Sequence, residues 1–314
     1  MYKLKMNSIL VDKDDEKFFG NGPMMLLQGV EKYGSLSSSA RQMGMSYSKA
    51  NKLIRNSEKA LGFKLLETKS GGKNGGSSVL SKKAKIFLSM YKEFSTNNLL
   101  YGQAHLDDLV LEDNFEDIRI VILASGKGKR FKENKLLYKV NDKALIQYLL
   151  ETLLPLKEYC VVSTIHNEVK DIADKFGYVY AMHEDESLSA SIKEGLNKID
   201  KACGVIFVQA DQPLLTLTSI ISLINNYHQE PKYFYKLAFN DIKAAPTLFP
   251  TKYFEELKKL DGDEGGSFVI KKHPKIEVKA VQALFPWEIW DIDTKEDMKY
   301  FETMITYLKR RGND

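Results

Sequence analysis

The chain has 314 residues, of which 43% are hydrophobic and 28% are charged. This composition is too apolar for a disordered protein, and the length exceeds that of one average domain, so we expect at least two packed cores. The net charge is only +4, but residues 1–105 carry a net charge of +9 and residues 106–314 a net charge of −5. A basic module therefore precedes an acidic one.

Cysteine content and hydropathy exclude several classes of protein. Cys160 and Cys203 are far apart and form no C-x-x-C pair, so the sequence indicates neither a disulfide scaffold nor a zinc site. The five histidines show no ligand spacing and are interpreted as structural or solvated. No secretory leader and no run of about 18 apolar residues is evident. We therefore expect a cytoplasmic protein that has no contact with a membrane.

The first predicted elements form a helix-turn-helix pattern. Apolar residues at helical spacing predict one helix over Met24–Tyr33, which Gly34 ends, and a short second helix over Ser37–Met43. Ser46 is a good N-cap for a third helix that extends to about Ala60. In helix-turn-helix proteins the start of this third helix faces the major groove of DNA.

A hairpin wing is predicted after the third helix. Phe63–Thr68 and Val79–Leu80 flank a glycine-rich segment, and residues 41–92 carry a local net charge of +10. The predicted DNA contacts are Ser46, Tyr47, Lys49, Lys52 and Arg55 on the third helix and Lys69 and Lys73 on the wing. The charge excess favours nucleic-acid binding over the alternative, a solvated basic helical hairpin.

Residues 22–94 resemble the N-terminal winged-helix domain of the molybdenum-dependent transcriptional regulators of the ModE type, within the LysR-like fold. The likeness is carried by Gly34–Ser37, by Gly44–Tyr47 and by the wing Gly71–Gly76 before Val79–Ser81. It implies a homodimer that binds a palindromic operator in double-stranded DNA. Nothing after residue 95 resembles the small β-barrel domain with which such regulators bind molybdate.

An acidic segment separates the two predicted domains. Residues 95–117 contain six Asp and Glu residues and neither Lys nor Arg, so we assign residues 1–94 to a winged helix-turn-helix domain, 95–117 to a linker and 118–314 to a second domain. In the second domain short strands alternate with helices, which predicts an α/β fold with a mostly parallel sheet. The predicted strands are Ile118–Leu123, Cys160–Thr164, Tyr178–Ala181, Val205–Gln209 and Ile276–Val281. The predicted helices are Leu145–Leu154, Val169–Phe176, Ser189–Ile199 and Leu217–Tyr227.

A loop of small residues follows the first of these strands. In Leu123–Arg130 no bulky side chain stops backbone N–H groups from turning toward a polyphosphate. Arg130 and Lys135 can neutralise phosphate oxygens. The loop is not a dinucleotide fingerprint, because Phe131 stands where a third glycine is needed, and the chain has no Walker-type loop. For this segment alone, a surface turn with solvated lysines is the alternative.

Two further clusters supply carboxylates. Asp211 follows the apolar strand Val205–Gln209, at the end of the strand where ligands bind in open α/β sheets. One carboxylate there can hold Mg²⁺ against a triphosphate, although a lone Asp after a strand is more often part of a turn. Asp293 lies in the segment Asp291–Asp297, where Asp293 or Thr294 is the expected N-cap of the last helix.

Together and in this order, the clusters resemble the MobA-like nucleotidyltransferases, most closely the molybdenum cofactor cytidylyltransferases. The likeness covers residues 118–310, and it includes Ser189–Ser191, Ala210–Leu215, Ala245–Pro250 and Asp261–Gly266. It implies a three-layer Rossmann-like domain in which Asp261–Gly266 lies near the pterin. By this likeness the nucleotide contacts are Leu123, Ala124, Ser125, Gly126 and Ser191, the catalytic phosphate contacts are Arg130 and Lys135, and the Mg²⁺ ligands are Asp211 and Asp293.

The chain departs from that family at the base and acceptor side. Ser125 replaces the Ala of the cytidylyl enzymes and the Gly of the guanylyl enzymes, and a residue with a Cβ favours the smaller pyrimidine, so CTP is the preferred nucleoside triphosphate. Phe131 and Lys132 replace a Met and a Gly, and Ala245 replaces a His. The phosphate and metal groups are retained.

The sequence thus predicts a bifunctional protein. Its enzyme part would transfer CMP from CTP to molybdopterin with release of pyrophosphate, and its first domain would regulate transcription; a molybdoenzyme or its chaperone is the implied protein partner. An alternative is a transcription factor whose second domain senses nucleotide or pterin without turnover. Two others are an enzyme whose winged helix serves only for dimerisation or protein contacts, and a transferase for sugar phosphates.

Overall fold

The structure, a computed structural model, describes residues 4–69, 77–104, 106, 115–126 and 134–312. Two predicted site residues, Lys73 and Arg130, lie outside the described residues. The chain divides into two compact units, residues 1–107 and 108–313. No helix in the described part of the chain is both long enough and apolar enough to cross a lipid bilayer.

The N-terminal unit is mostly helical. Its elements are β1 (Leu10–Val11), β2 (Lys17–Phe19), α1 (Asn21–Tyr33), α2 (Leu36–Gln42), α3 (Tyr47–Leu61), β3 (Leu66–Lys69), β4 (Ser77–Leu80) and α4 (Lys82–Ala104). As predicted, Gly34 ends α1 in a left-handed conformation, and the Ser46 hydroxyl caps α3 by accepting a hydrogen bond from the Lys49 N–H at 3.3 Å. Strands β3 and β4 pair antiparallel, so the predicted hairpin is present.

The sequence analysis did not predict helix α4, and the helix extends into the segment assigned to the linker. It continues to Ala104, so residues 95–104 are helical although the charge pattern assigned them to a linker. The change from basic to acidic residues alters the charge of the surface, but it does not end a helix. No proline interrupts this segment, so the helix can continue. The extension also packs within its own unit, since a Cβ on Gly102 would overlap the Leu4 side chain.

The C-terminal unit alternates strands and helices. Its elements are β5 (Ile118–Leu123), β6 (Lys139–Val140), β7 (Lys143–Ala144), α5 (Leu145–Thr152), β8 (Cys160–Thr164), α6 (Asn167–Lys175), β9 (Val179–Met182), α7 (Leu188–Lys198), β10 (Gly204–Gln209), α8 (Leu217–Gln229), β11 (Phe234–Phe239), β12 (Ile242–Pro250), α9 (Phe254–Leu257), α10 (Gly266–Lys272), β13 (Val278–Gln282) and α11 (Lys295–Gly312). The predicted strands β5 and β8 have the predicted bounds, and β9, β10 and β13 differ from theirs by one or two residues.

A seven-stranded sheet in the order β13-β11-β12-β10-β5-β8-β9 forms the centre of this unit. Four of its pairs are parallel, and β12 pairs antiparallel with both β10 and β11. Alternate residues of β5 enter different cores: Ile120 and Ile122 pack with α5 and α8 residues, whereas Val121 packs with Ile192 and Leu196 of α7. Helices therefore cover both faces, which gives the predicted α/β nucleotidyltransferase fold.

The sequence analysis missed the hairpin of β11 and β12. Its turn lies at Asn240–Asp241, and Asn240 has a positive φ of 52°. Strand β12 was not predicted because it contains the run Ala244–Ala245–Pro246, and alanine and proline are poor strand formers. Strand β12 of this hairpin lies beside β10, and Asp211 follows the end of β10. The hairpin is therefore next to the strand that leads to a predicted site residue.

Candidate active site

The site lies where two central strands end side by side. Strands β5 and β10 run parallel with Leu123 opposite Gln209, so the residues that follow them emerge together at one edge of the sheet. The Ala210 N–H donates a hydrogen bond to the Leu123 carbonyl at 3.1 Å, which holds the two loops together. A cleft of about 420 Å³ opens there. Its lining residues are Leu123, Ser125, Gly126, Lys135, Leu136, Glu186, Ser187, Leu188, Ser191, Gln209, Ala210, Asp211 and Asp263.

The structure brings together most of the predicted nucleotide contacts. Leu123, Ser125, Gly126 and Ser191 line the cleft. Ala124 does not line it: this residue is fully buried, and its N–H donates a hydrogen bond to the Ser163 carbonyl at 2.8 Å. Ala124 therefore anchors the loop to the neighbouring strand β8.

His183, which the sequence analysis interpreted as structural or solvated, joins the two serines of the cleft. Its Nε2 lies 2.9 Å from Ser125 Oγ and 3.3 Å from Ser191 Oγ. Its Nδ1 lies 2.7 Å from the Asp185 carbonyl oxygen, which can only accept, so Nδ1 carries a proton, and Nε2 accepts in the corresponding neutral tautomer. The position of His183 directly after strand β9 was the available signal, because cleft residues follow the carboxyl ends of strands.

This hydrogen bonding fixes the polarity of Ser125. With Nε2 of His183 as an acceptor, both acceptors near the Ser125 hydroxyl, His183 Nε2 and, at 3.4 Å, the Ser163 carbonyl oxygen, direct the hydroxyl proton away from the cleft. The lone pairs of Ser125 Oγ are then left to face a ligand. The cleft thus offers a hydrogen-bond acceptor at this position.

Lys135 lies between the two predicted metal ligands. Its Nζ is 2.6 Å from Asp211 Oδ2 and 2.8 Å from Asp293 Oδ1, and only 6% of the residue is exposed. Asn134 Oδ1 accepts a hydrogen bond from the Leu136 N–H and so begins the single 3₁₀ turn that carries Lys135. Burial alone would lower the pKa of Lys135, but the charges and hydrogen bonds of the two carboxylates outweigh it and raise the pKa.

The Asp293 side chain can bind Lys135 because another residue caps the last helix. Thr294 Oγ1 accepts from the Asp297 N–H at 3.1 Å, and Asp297 Oδ2 accepts from the Thr294 N–H at 2.7 Å, which is a reciprocal capping arrangement. Asp297 Oδ2 also accepts from the Asp293 N–H. Of the two predicted caps, Thr294 performs the function, and the Asp293 side chain turns to Lys135.

The two carboxylates fit a divalent cation. Asp211 Oδ1 is buried and has no hydrogen-bond partner among the described residues, although Asp211 Oδ2 is bound to Lys135. An unpaired buried carboxylate oxygen is unfavourable unless a cation or donor satisfies it. The described residues contain no group of three or more His, Cys, Asp or Glu residues that could hold a metal ion. Two carboxylates suit Mg²⁺, which keeps several waters and binds phosphate oxygens as well.

Asp291 adds a third carboxyl group that the sequence analysis gave no role. Partial shielding from water, followed by the negative charges of Asp211 and Asp293, raises the pKa of Asp291 to about 6 even though part of its side chain stays open to solvent. Gln212, whose amide donates a hydrogen bond to the Ala245 carbonyl at 3.2 Å, acts against this rise and lowers the pKa of Asp291. Three carboxyls around one lysine concentrate negative charge at the edge of the cleft, which favours a cation there.

The structure places five of the predicted DNA contacts at the N-cap of α3 or on the helix itself. Ser46, Tyr47, Lys49, Lys52 and Arg55 are all exposed, whereas Ala50 and Ile54 are buried in the core of the N-terminal unit. The backbone of Lys69 ends strand β3. The third helix therefore presents the predicted side chains to solvent.

Comparison with known proteins supports the assignment of the C-terminal unit. Residues 120–277 match a family model described as the MobA-like NTP transferase domain. A probable molybdenum cofactor guanylyltransferase of Thermococcus sibiricus is 31% identical over 193 residues, which cover 57% of this chain and 94% of that protein. The purine catabolism protein PucB of Bacillus subtilis is 27% identical over 191 residues, which cover 56% of this chain and 92% of PucB.

The solved structures agree on the fold, and a curated molybdenum transport protein matches a part of the chain. The crystal structure of an Rv0371c homologue from Mycobacterium sp. strain JC1 superposes with a TM-score of 0.53 at 20% identity, covering 62% of this chain and 98% of that one. The molybdenum transport protein ModE of Herbaspirillum seropedicae is 32% identical over 90 residues, 29% of this chain. That match spans about a third of ModE (32%).

Proposed function

The chain belongs to the MobA-like NTP transferase family, and from this we propose that its C-terminal unit transfers a nucleotidyl group, preferentially CMP from CTP, to molybdopterin. In this reaction an oxygen of the acceptor's terminal phosphate forms a bond with the α-phosphorus of the nucleotide. The bond between the α-phosphorus and the bridging oxygen breaks, and pyrophosphate leaves. The acceptor phosphate is already ionised, so no general base is required.

The observation that carries this proposal is the group of Lys135, Asp211 and Asp293 at the edge of the cleft. Mg²⁺, when bound by the two carboxylates, would neutralise charge on the phosphate oxygens. Lys135 would then turn from its carboxylate partners toward the transferring phosphoryl group and stabilise its charge. Arg130, which lies outside the described residues, would contact the leaving pyrophosphate.

The polarity of Ser125 bears on the nucleotide. Its outward lone pairs accept a hydrogen bond from an exocyclic amino group, which cytosine, guanine and adenine carry and uracil lacks. Among the amino-bearing bases, the Cβ of Ser125 leaves less space than glycine would and so favours the smaller cytosine. The guanylyltransferase among the relatives makes GTP the second candidate.

The test is acceptor-dependent release of pyrophosphate by the purified full chain with Mg²⁺ and molybdopterin, with CTP, GTP, ATP and UTP compared side by side. We expect release with CTP and the lowest rate with UTP. Release with GTP alone would refute the cytidylyl preference and keep the transferase. Binding of nucleotide without any release would instead support the alternative function, a transcription factor whose C-terminal unit senses nucleotide or pterin.

For the N-terminal unit we propose a winged helix-turn-helix that binds double-stranded DNA as a homodimer. The supporting observation is the exposed row Tyr47, Lys49 and Lys52 at the start of α3, followed by the β3–β4 hairpin. The partial match to ModE points the same way. Coupled to the enzyme, this unit would adjust transcription to cofactor supply, and a molybdoenzyme or its chaperone would receive the product.

Salt-dependent DNA binding tests this second proposal. The variant Lys49→Ala/Lys52→Ala removes two positive charges from the surface that would face the DNA, so it should bind DNA more weakly and with a less steep dependence of log K on log salt. Lys13→Ala, on the loop between β1 and β2, is the matched control. Equal affinity and slope in the double variant and the parent chain would contradict DNA binding through α3.

A further inference from the structure

The turn that follows strand β9 holds the His183 ring in one orientation. The backbone N–H of His183 donates a hydrogen bond to the Thr164 carbonyl at 3.3 Å, and its Nδ1 lies 2.7 Å from the Asp185 carbonyl oxygen. The Asp185 side chain accepts from the Ser187 N–H at 2.8 Å, which fixes the turn itself. A ring rotated by half a turn would place carbon atoms against the Asp185 carbonyl and the Ser125 hydroxyl, so both hydrogen bonds would be lost. The backbone around the ring therefore determines where Nε2 lies.

Two serine hydroxyls compete for this nitrogen. Ser125 Oγ lies 2.9 Å and Ser191 Oγ 3.3 Å from Nε2, and both serines line the cleft. In the neutral tautomer Nε2 has one lone pair and accepts one proton well. The nearer hydroxyl, that of Ser125, donates to it, and the Ser191 hydroxyl forms no other hydrogen bond with a described residue. The Ser191 proton is thus left for a ligand in the cleft, whereas Ser125 offers lone pairs.

An acceptor beside a donor matches one edge of the amino-bearing bases. Cytosine presents an amino group next to an unprotonated ring nitrogen, and guanine and adenine each carry the same pair of groups on one edge. Uracil presents a carbonyl oxygen next to a ring N–H, which is the reverse arrangement. Ser125 and Ser191 are both buried, so a base of the wrong polarity would leave their hydroxyls without partners and bind more weakly.

We propose that His183 is the positioning residue that sets the polarity of nucleobase recognition: its Nε2 makes Ser125 an acceptor and leaves Ser191 as a donor. The proposal rests on the proposed nucleotidyl transfer and assigns base selection to a residue beyond the contacts themselves. Among the described residues that line the cleft, His183 is absent, so it acts through the two serines. Bases that carry an amino group are selected as a result.

Equilibrium binding of matched nucleotides to the full chain with Mg²⁺ tests the proposal without turnover. CTP and UTP form one pair, and GTP and ITP, which lacks the 2-amino group, form the other. We expect the parent chain to bind the amino-bearing member of its preferred pair about 10- to 100-fold more tightly than the other member. His183→Phe, which keeps a flat ring and removes both nitrogens, should reduce this ratio roughly fivefold or more.

His228→Phe is the matched control, because His228 is a half-buried histidine of α8 that does not belong to the lining of the cleft. It should keep the parent ratio. An unchanged ratio in His183→Phe, or a parent chain that discriminates within neither pair, would overturn the proposal.

A double-mutant cycle distinguishes positioning from a general effect on packing. Ser125→Ala removes the acceptor directly and should reduce the ratio by itself, which keeps the proposal testable if His183→Phe does not fold. In the Ser125→Ala background, His183→Phe should change the ratio much less than in the parent chain, because both residues act on the same contact. An unchanged ratio in Ser125→Ala, or equal effects of His183→Phe in both backgrounds, would refute action through Ser125.

Release of pyrophosphate separates failure of this inference from failure of the proposed function. An active transferase whose ratio does not depend on His183 would refute the inference and keep the reaction. A parent chain that selects the amino-bearing nucleotide through His183 but releases no pyrophosphate with molybdopterin would refute the reaction and keep the binding site.

Discussion

Lys135 shows how one side chain can serve two states of a site. In the structure its ammonium lies between Asp211 and Asp293, where it neutralises two carboxylates that would otherwise repel each other. Asp211 keeps one oxygen without a partner, so the arrangement leaves capacity for a metal ion. The Lys135 ammonium, which stabilises the site without ligands, is thus also placed to contact phosphate when nucleotide and Mg²⁺ bind.

Replacement of Lys135 by methionine should lower kcat by about 100- to 1000-fold, because a preorganised charge on the transferring group is lost. The variant should also lose roughly 1–3 kcal/mol of stability, since Asp211 would remain shielded without its cation. Steady-state kinetics and a urea titration measure the two effects. Lys139→Met, four residues further on and exposed, is the control. A folded Lys135→Met variant with the parent kcat would disprove the assigned role.

The charge of Lys236 should reduce the stability of the protein without ligand. Its lowered pKa means that the folded chain binds this proton less strongly than the unfolded chain does. The loss of folding stability caused by this charge is therefore present at neutral pH. It disappears as the pH rises through the lowered pKa toward the ordinary value of about 10.4. Burial and the nearby positive charge of Lys243 cause this lowered pKa, so we expect Lys236→Met to melt at a higher temperature than the parent chain at pH 7, with the difference shrinking as the pH rises toward the ordinary pKa of lysine. A difference that stays constant with pH would contradict this cause.

At the scale of elements, the position of helix α7 depends on a close approach to the sheet. Gly195 packs against Val121 of β5, and a Cβ at this position would overlap the valine side chain. The helix carries Ser191 to the cleft, so the distance between α7 and β5 sets the width of the nucleotide site. A small residue in the helix interior is thus a packing requirement here.

Gly195→Ala and Gly126→Ala should therefore have different effects. Alanine at position 195 should cost about 1–3 kcal/mol through overpacking, measured by urea unfolding. At position 126 a Cβ would meet no atom of the described residues within 4 Å and the backbone has no positive φ, so stability should be unchanged. The KM for CTP should nevertheless rise in Gly126→Ala, because Gly126 lines the cleft. Equal stability of the two variants would refute the close packing of α7 on β5.

At the scale of the whole molecule, two compact units have separate hydrophobic cores. The core of the N-terminal unit is built on residues such as Phe19, Leu26 and Leu88, and that of the C-terminal unit on residues such as Ile120 and Val208. Each proposed ligand contacts residues of one unit. Ligand binding should therefore stabilise the unit that holds the site.

Calorimetry of the full chain should resolve two transitions that respond to different ligands. CTP with Mg²⁺ at about 100 times its Kd contributes roughly 2.7 kcal/mol, which corresponds to a rise of about 5–10 °C for a unit of this size. Operator DNA should raise the temperature of the other transition, which is that of the N-terminal unit. Movement of both transitions with CTP alone would show that the two units unfold together.

The sequence by itself determined the elements whose signals are local. Periodic apolar residues and a capping serine gave α3, and β-branched runs gave β5 and β8 with their observed bounds. Asp211 and Lys135 could be predicted as site residues because ligands of α/β sheets bind beyond the carboxyl ends of strands and phosphates need cations. Each of these inferences rests on residues that are close to one another in the sequence.

Only the tertiary structure decided which distant residues meet. Lys135 and Asp293 are 158 positions apart, and no local pattern shows that they form an ion pair. The same holds for His183, which contacts Ser125, and for Lys236, which lines a cavity with residues from distant parts of the chain and forms no ion pair with a described side chain. Hydrophobic periodicity specifies which face of an element is buried, whereas charge pairing and cavity shape depend on how the elements pack against one another.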